Sequence, residues 1–197
     1  MPNIGAQFVI NYLNRHWENE RNQDRWTIMI NEININKLFV LYNFSDESTL
    51  FKDLQLIFEI AIHEEHPYKA PSIKVLTPNG RTMTNESICI DGLTVWHPES
   101  WCVVTTMSSI IERFLSAFID IENVEKGVGF IKDPNYESIR RFANESRVWN
   151  LTNYEQVVSL FQEQCYEFRV SESLSKIRIS EDEEKEEIYE YSDEEIA

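Results

Sequence analysis

From Leu54 to Ile62 the chain alternates without a break, with Leu54, Leu56, Phe58, Ile60 and Ile62 separated by Gln55, Ile57, Glu59 and Ala61. A period of two is the signature of an extended strand, whose successive side chains point to opposite faces, and it marks a strand half buried in a sheet. The strand is predicted over residues 52–62. Three further strand-like runs surround it, at 25–31, 37–44 and 72–77. The connections between the four are short and polar, whereas parallel neighbours would need crossovers of a dozen or more residues. The pattern therefore predicts an antiparallel meander.

Helical spacing appears on both sides of these strands. Ala6, Val9, Ile10, Leu13 and Trp17 predict an amphipathic N-terminal helix over 5–18. Met107, Ile110, Ile111, Phe114, Leu115, Phe118 and Ile119 form the strongest helical stripe in the chain, suited to a helix lying across the sheet. Asp133 followed by Pro134 predicts an N-cap and first helical position, opening a helix that runs to about Arg147. Thr152 with Glu155 reads as a capping box before a last apolar stripe that contains Val157, Val158, Phe161 and Cys165. The fold class expected is α+β: helix, four strands, a long irregular loop, then helices.

Composition bounds the function. The formal charge is -16, but residues 181–195 hold ten acids and one base, which leaves an ordinary -7 on the rest. An acidic surface without a basic patch repels phosphate backbones, so nucleic-acid binding is not expected. The acidic stretch has no apolar period to offset its ordering entropy, and it is expected to be a disordered tail over 171–197, after a catalytic domain over 1–170. Three cysteines, Cys89, Cys102 and Cys165, form no CxxC pair, and no apolar run approaches the roughly 20 residues of a membrane span. These features predict a cytoplasmic or nuclear protein, not a secreted one, in which a free thiol can persist. His63-Glu64-Glu65-His66 spaces its histidines three apart rather than the four of a zinc-binding helix, so it is read as a surface turn and no metal site is expected.

Chemistry is expected in the irregular stretch 70–101, where Pro71, Pro78, Gly80, Gly92 and Pro98 interrupt any period and Cys89 lies. Alone, Cys89 between Ile88 and Ile90 would pass for a small buried hydrophobe, as Cys102 and Cys165 do. Its surroundings distinguish it. Thr77-Pro78-Asn79-Gly80-Arg81 stands upstream with Asn79 ten residues before Cys89, and His97-Pro98-Glu99-Ser100-Trp101 and Val124-Glu125-Lys126-Gly127 follow. In order and spacing these motifs resemble the ubiquitin-conjugating enzymes, and most nearly their J-type branch, which is otherwise anchored in the endoplasmic reticulum membrane. The resemblance spans about residues 5–165.

The resemblance implies that Cys89 carries ubiquitin as a thioester, received from the activating enzyme and passed to a protein substrate, usually with a ubiquitin ligase. A thiol with a pKa of roughly 8.5 serves as both nucleophile and leaving group. No cofactor of its own is implied, because ATP is used by the upstream enzyme. Asn79 would stabilise the oxyanion or support the loop, and Pro-Asn-Gly is in itself a strong turn signal. Asp120, Glu122 and Glu125 lie where the family often places an acid for the acceptor amine. His97 is a candidate base for hydroxyl acceptors, serine or threonine, although the aspartate that the branch carries two positions before this histidine is Val95 here. The ligase would contact Ile62, Pro67, Trp101 and Val103.

Three departures stand out. Trp-x-Pro-Ala is replaced by Trp101-Cys102-Val103-Val104, which changes the rigidity of the ligase-facing loop, and the hairpin before the third strand reads Ser48-Thr49-Leu50-Phe51. An acidic stretch stands where the branch has its membrane anchor, so none is expected in this chain. The same residues also admit a non-catalytic binding module of this fold, or a cysteine hydrolase using Cys89 with His97.

Overall fold

The computed structural model describes residues 4–19, 26–31, 33–122 and 127–163. The chain divides into two units, Met1–Leu160 and Phe161–Ala197, and every element named below lies in the first.

Helix α1 (Ile4–Asn19) precedes strands β1 (Trp26–Ile30), β2 (Lys37–Asn43), β3 (Gln55–Ala61) and β4 (Ser72–Val75), which pair in that order as an antiparallel sheet. After a loop broken only by a short 3₁₀ turn at Pro98–Ser100 come α2 (Met107–Ile119) and α3 (Tyr136–Asn153). The α+β meander read from the sequence is the fold observed.

The even-numbered residues of the long alternating run face a core shared with α1 and α2. Leu54, Leu56, Phe58, Ile60 and Ile62 are buried there with Val9, Leu13, Ile110, Phe114 and Phe118. Phe58 packs on Phe114 at a centroid distance of 4.5 Å, and Phe51, from the β2–β3 connection, packs on Phe118 at 4.9 Å. Each such side chain contributes roughly 1.5–3 kcal/mol by leaving water.

β3 is not half buried, as its alternation suggests. Gln55 and Ile57, on the opposite face, are buried as well. The reason is α3. β4 pairs only with Phe58–Ala61, so the first half of β3 has no strand partner on that edge, and the backbone after β4 together with polar side chains satisfies it. Ser146 Oγ accepts the Gln55 N–H at 2.9 Å, Asn150 Nδ2 donates to the Gln55 carbonyl at 2.8 Å, and Thr77 Oγ1 accepts the Ile57 N–H at 2.8 Å. The Thr77 hydroxyl in turn donates to Asn150 Oδ1 at 2.7 Å.

Two helix boundaries differ from expectation. The N-cap of α3 is Asn135, whose Oδ1 accepts the Ser138 N–H at 2.9 Å, and not Asp133. α3 also runs past Arg147 to Asn153, so Thr152 lies inside it, its hydroxyl donating to the Val148 carbonyl rather than capping a new helix. Tyr154 breaks the helix, and residues 155–160 are helical again. Among the described residues no helix is long and apolar enough to cross a membrane. Cys165, the 170/171 boundary and the acidic stretch lie outside the described residues.

Candidate active site

The loop after β4 is anchored at its first residues. Leu76 and Thr77 N–H groups donate to the Ile57 carbonyl, and the Pro78-Asn79-Gly80 turn then reverses the chain with Gly80 at φ 74°. A side chain at Gly80 would strain that φ and crowd Ile139 of α3, 3.1 Å from where its Cβ would lie. Asn79 is only 1 % exposed and fully engaged. Its Oδ1 accepts the N–H groups of Arg81 and Thr82, both at 2.8 Å, while Nδ2 donates to the Thr77 carbonyl at 2.8 Å and to Thr82 Oγ1 at 3.0 Å. Those bonds support the loop. Donation to an oxyanion would require one of them to be exchanged.

Arg81, the last residue of the Thr77–Arg81 motif, is also buried. Its guanidinium donates to the Asp120 carbonyl at 2.9 Å beyond the C-terminus of α2 and lies 4.8 Å above the Phe130 ring. Burial pulls the pKa of Arg81 below the usual guanidinium value, an effect opposed by the charge of Asp120. Cation and carbonyl at a helix C-terminus are mutually stabilising.

Cys89 is half-buried on a segment pinned from two sides. Ile88 donates its N–H to the Ile73 carbonyl of β4, and Cys89 donates its own to the Val128 carbonyl at 2.8 Å. Ile88 is fully buried, whereas Cys89 next to it is only partly buried. The strip 127–131 also receives the residues after Asn79: Met83 N–H donates to the Gly129 carbonyl and Ile131 N–H to the Arg81 carbonyl. One strip of backbone thus ties the Asn79 turn to the Cys89 segment. Gly127 lies so close that a Cβ on it would sit 2.6 Å from the Cys89 carbonyl oxygen and 3.0 Å from the Cys89 Cβ. Val124, Glu125 and Lys126, the rest of that motif, are outside the described residues.

Beyond Cys89 the chain coils tightly. Ile90 N–H donates to Thr94 Oγ1 at 3.0 Å, and Arg113 of α2 donates to the Gly92 carbonyl at 2.9 Å. His97 follows, with Nδ1 3.3 Å from Glu99 Oε1 and 4.0 Å from Asp91 Oδ1. A bond from Ser100 lowers the pKa of the Asp91 carboxyl first, with smaller help from His97 and Arg113. Val95, in the position of the branch's aspartate, is exposed and apolar.

The four candidate ligase contacts separate. Trp101 and Pro67 are joined, the indole N–H donating to the Pro67 carbonyl at 2.7 Å, and Val103 is exposed. Ile62 is 4 % exposed and belongs to the core, so it supports this surface from beneath and cannot itself meet a partner. Cys102 is exposed, not buried. The expected surface turn at 63–66 is likewise corrected at one residue. His66 is fully buried, edge-on to Phe8 at 4.2 Å and 5.6 Å from Trp101, because its apolar ring closes the junction of α1 with two loops. Asp120 and Glu122 line an open cleft with Leu50, Ile119, Ile121 and Tyr136. Among the described residues no group of three His, Cys, Asp or Glu side chains is arranged to hold a metal ion.

Thr77, Ser146 and Asn150 act as a unit that no sequence motif names. Their signal was present: Ile139, Ala143, Ser146 and Asn150 follow helical spacing, and a small polar pair at the end of an apolar stripe indicates polar groups to be met.

No protein-family model matches the chain. It is 44% identical over 62 residues to ubiquitin-conjugating enzyme E2 34 of Arabidopsis thaliana, a match covering 32% of this chain and 26% of that protein. It is 37% identical over 89 residues to ubiquitin-conjugating enzyme E2 J2 of Bos taurus, covering 44% and 32% respectively. To ubiquitin-conjugating enzyme E2 6 of Schizosaccharomyces pombe it is 29% identical over 100 residues, 50% of this chain and 41% of that one. The chain therefore spans less than half the length of the relatives it matches. In its α+β ubiquitin-conjugating fold and in these matched stretches, the chain is similar to ubiquitin-conjugating enzymes, the J2 type among them.

Proposed function

We propose that this chain is a ubiquitin-conjugating enzyme that accepts ubiquitin as a thioester on Cys89 and transfers it to a substrate lysine, with serine or threonine hydroxyls as a second acceptor class. The Cys89 sulfur attacks the thioester carbonyl presented by the activating enzyme, the upstream thiolate leaves, and the same sulfur later departs when an acceptor attacks. Neither metal nor nucleotide is needed at this step. The observation that carries the reading is the half-buried Cys89 between a core isoleucine and the strip 127–131, which also fastens the Asn79 turn. Asn79 acts as loop support, His97 as a base for hydroxyl acceptors, and the surface around Pro67, Trp101 and Val103 takes the ligase.

Incubation with ubiquitin, activating enzyme and ATP should give a thiol-sensitive adduct on a non-reducing gel. Cys89→Ala should abolish it. Cys102→Ser should leave it intact, and this control is needed because Cys102 is also exposed. An adduct that survives in Cys89→Ala and disappears in Cys102→Ser would refute the assignment, as would failure to charge beside a control enzyme that does.

A further inference from the structure

His97 lacks the acid two residues before it that the J-type branch would supply, yet its ring is not without a carboxylate. Nδ1 lies 3.3 Å from Glu99 Oε1 and 4.0 Å from Asp91 Oδ1. Asp91 is only two residues from Cys89, a reach of roughly 7 Å of chain. The carbonyl of Asp91 and that of the next residue are held from α2, Arg113 donating to Gly92 at 2.9 Å and to Asp91 at 3.3 Å. The imidazole is 40% exposed at its side chain, so an acceptor can approach it.

The geometry points to Asp91 and Glu99 as positioning residues that orient the His97 imidazole, on the loop that follows Cys89, replacing the carboxylate absent at Val95. This rests on the thioester reading of Cys89 and extends it. A carboxylate on the Nδ1 side favours the tautomer with the proton on Nδ1, which leaves Nε2 free to accept one. In transfer to a hydroxyl, the acceptor oxygen bonds to the thioester carbonyl carbon, its proton passes to Nε2, and the C–S bond breaks to release the Cys89 thiolate. The imidazolium then returns the proton to that thiolate or to water. Two carboxylates steady the cation formed, and Arg113, bonded to the Asp91 carbonyl, is the charge that opposes them.

The test has two arms. In the first, ¹⁵N chemical shifts of the His97 ring at neutral pH report its tautomer without any need for charging. The Nδ1–H form should dominate in the natural protein and lose ground to Nε2–H in Asp91→Asn/Glu99→Gln. In the second, protein charged with ubiquitin beforehand is discharged in single turnover onto free serine or threonine and, in parallel, onto free lysine. The double variant and His97→Gln should each lose about tenfold in hydroxyl discharge, with lysine discharge retained. Glu99→Asp, which keeps the charge, should recover part of the rate. A ring whose tautomer does not change, or hydroxyl discharge in the double variant equal to that of the natural protein, overturns the inference. Failure of the natural protein to charge refutes the thioester reading itself, and the tautomer measurement still decides whether Asp91 and Glu99 orient the ring.

Discussion

At the scale of single residues, Cys89 depends on a glycine that the sequence did not mark as special. Gly127 adopts no left-handed backbone requiring glycine, and its constraint is contact alone: a Cβ there would fall 2.6 Å from the Cys89 carbonyl oxygen. That atom belongs to the backbone and cannot swing aside. Gly127→Ala should therefore displace the strip that receives the Cys89 N–H, slowing ubiquitin charging by about tenfold or more, since ångström-scale misplacement costs that much and beyond. Melting temperature and alkylation of Cys89 by iodoacetamide, measured beside charging, separate loss of fold from loss of placement. Normal charging with an unchanged melting temperature would show that the strip yields freely. The motif containing Gly127 was legible in the sequence, as were Asn79 and Cys89. The reason for the glycine was not, because it lies in a segment distant along the chain. Asn79 shows the same limit: the turn was readable from Pro-Asn-Gly, but not that every polar atom of its amide is used within the loop.

At the scale of elements, periodicity revealed the four strands to within about three residues and α2 in full, because burial on one side imposes it directly. It failed where a second neighbour mattered. β3 reads as half buried, yet α3 covers its other face and supplies hydrogen bonds that a longer β4 would have made. The cap of α3 failed for a related reason. Asp133 and Asn135 are both good caps in isolation, and docking of Ile139 against Gly80 favours the frame that starts at Tyr136. The joint between α3, β3 and the Asn79 turn is buried and polar, so removing one partner strands the others. Asn150→Leu should cost about 2–3 kcal/mol, and Thr77→Val about 1–3 kcal/mol, in urea unfolding. Their effects should fall short of additive in the double variant, because Thr77 Oγ1 and Asn150 Oδ1 are bonded to each other. Full additivity would show that the two side chains act separately.

At the scale of the whole molecule, His66 fastens α1 to the loops that carry Pro67 and Trp101. Its Nδ1 is 3.1 Å from the Lys69 carbonyl, an acceptor only, so the proton sits on Nδ1 and Nε2 is left buried without a partner. Protonating Nε2 would place a charged donor between the rings of Phe8 and Trp101 with nothing to accept it, and burial accordingly holds the His66 pKa below 6.5. The unfolded chain then binds the proton more readily than the folded one, so stability is fully present above about pH 6.5 and declines as pH falls from there towards the folded-state value. One proton limits the slope to about 1.4 kcal/mol per pH unit. Asp46, Glu65 and Asp91 are shifted downward from ordinary carboxylate values of 3.8 or 4.5, so their losses begin only in more acid solution and do not overlap the upper part of this window. Urea unfolding at pH 7.5 and pH 5.5 should show the natural protein weakening on acidification. His66→Phe keeps an apolar ring between α1 and Trp101, leaves the exposed Lys69 to bond water, and should reduce the difference between the two pH values. A variant that weakens as steeply as the natural protein would place the sensitivity elsewhere, and the joint between α1 and the candidate ligase surface would then be indifferent to pH.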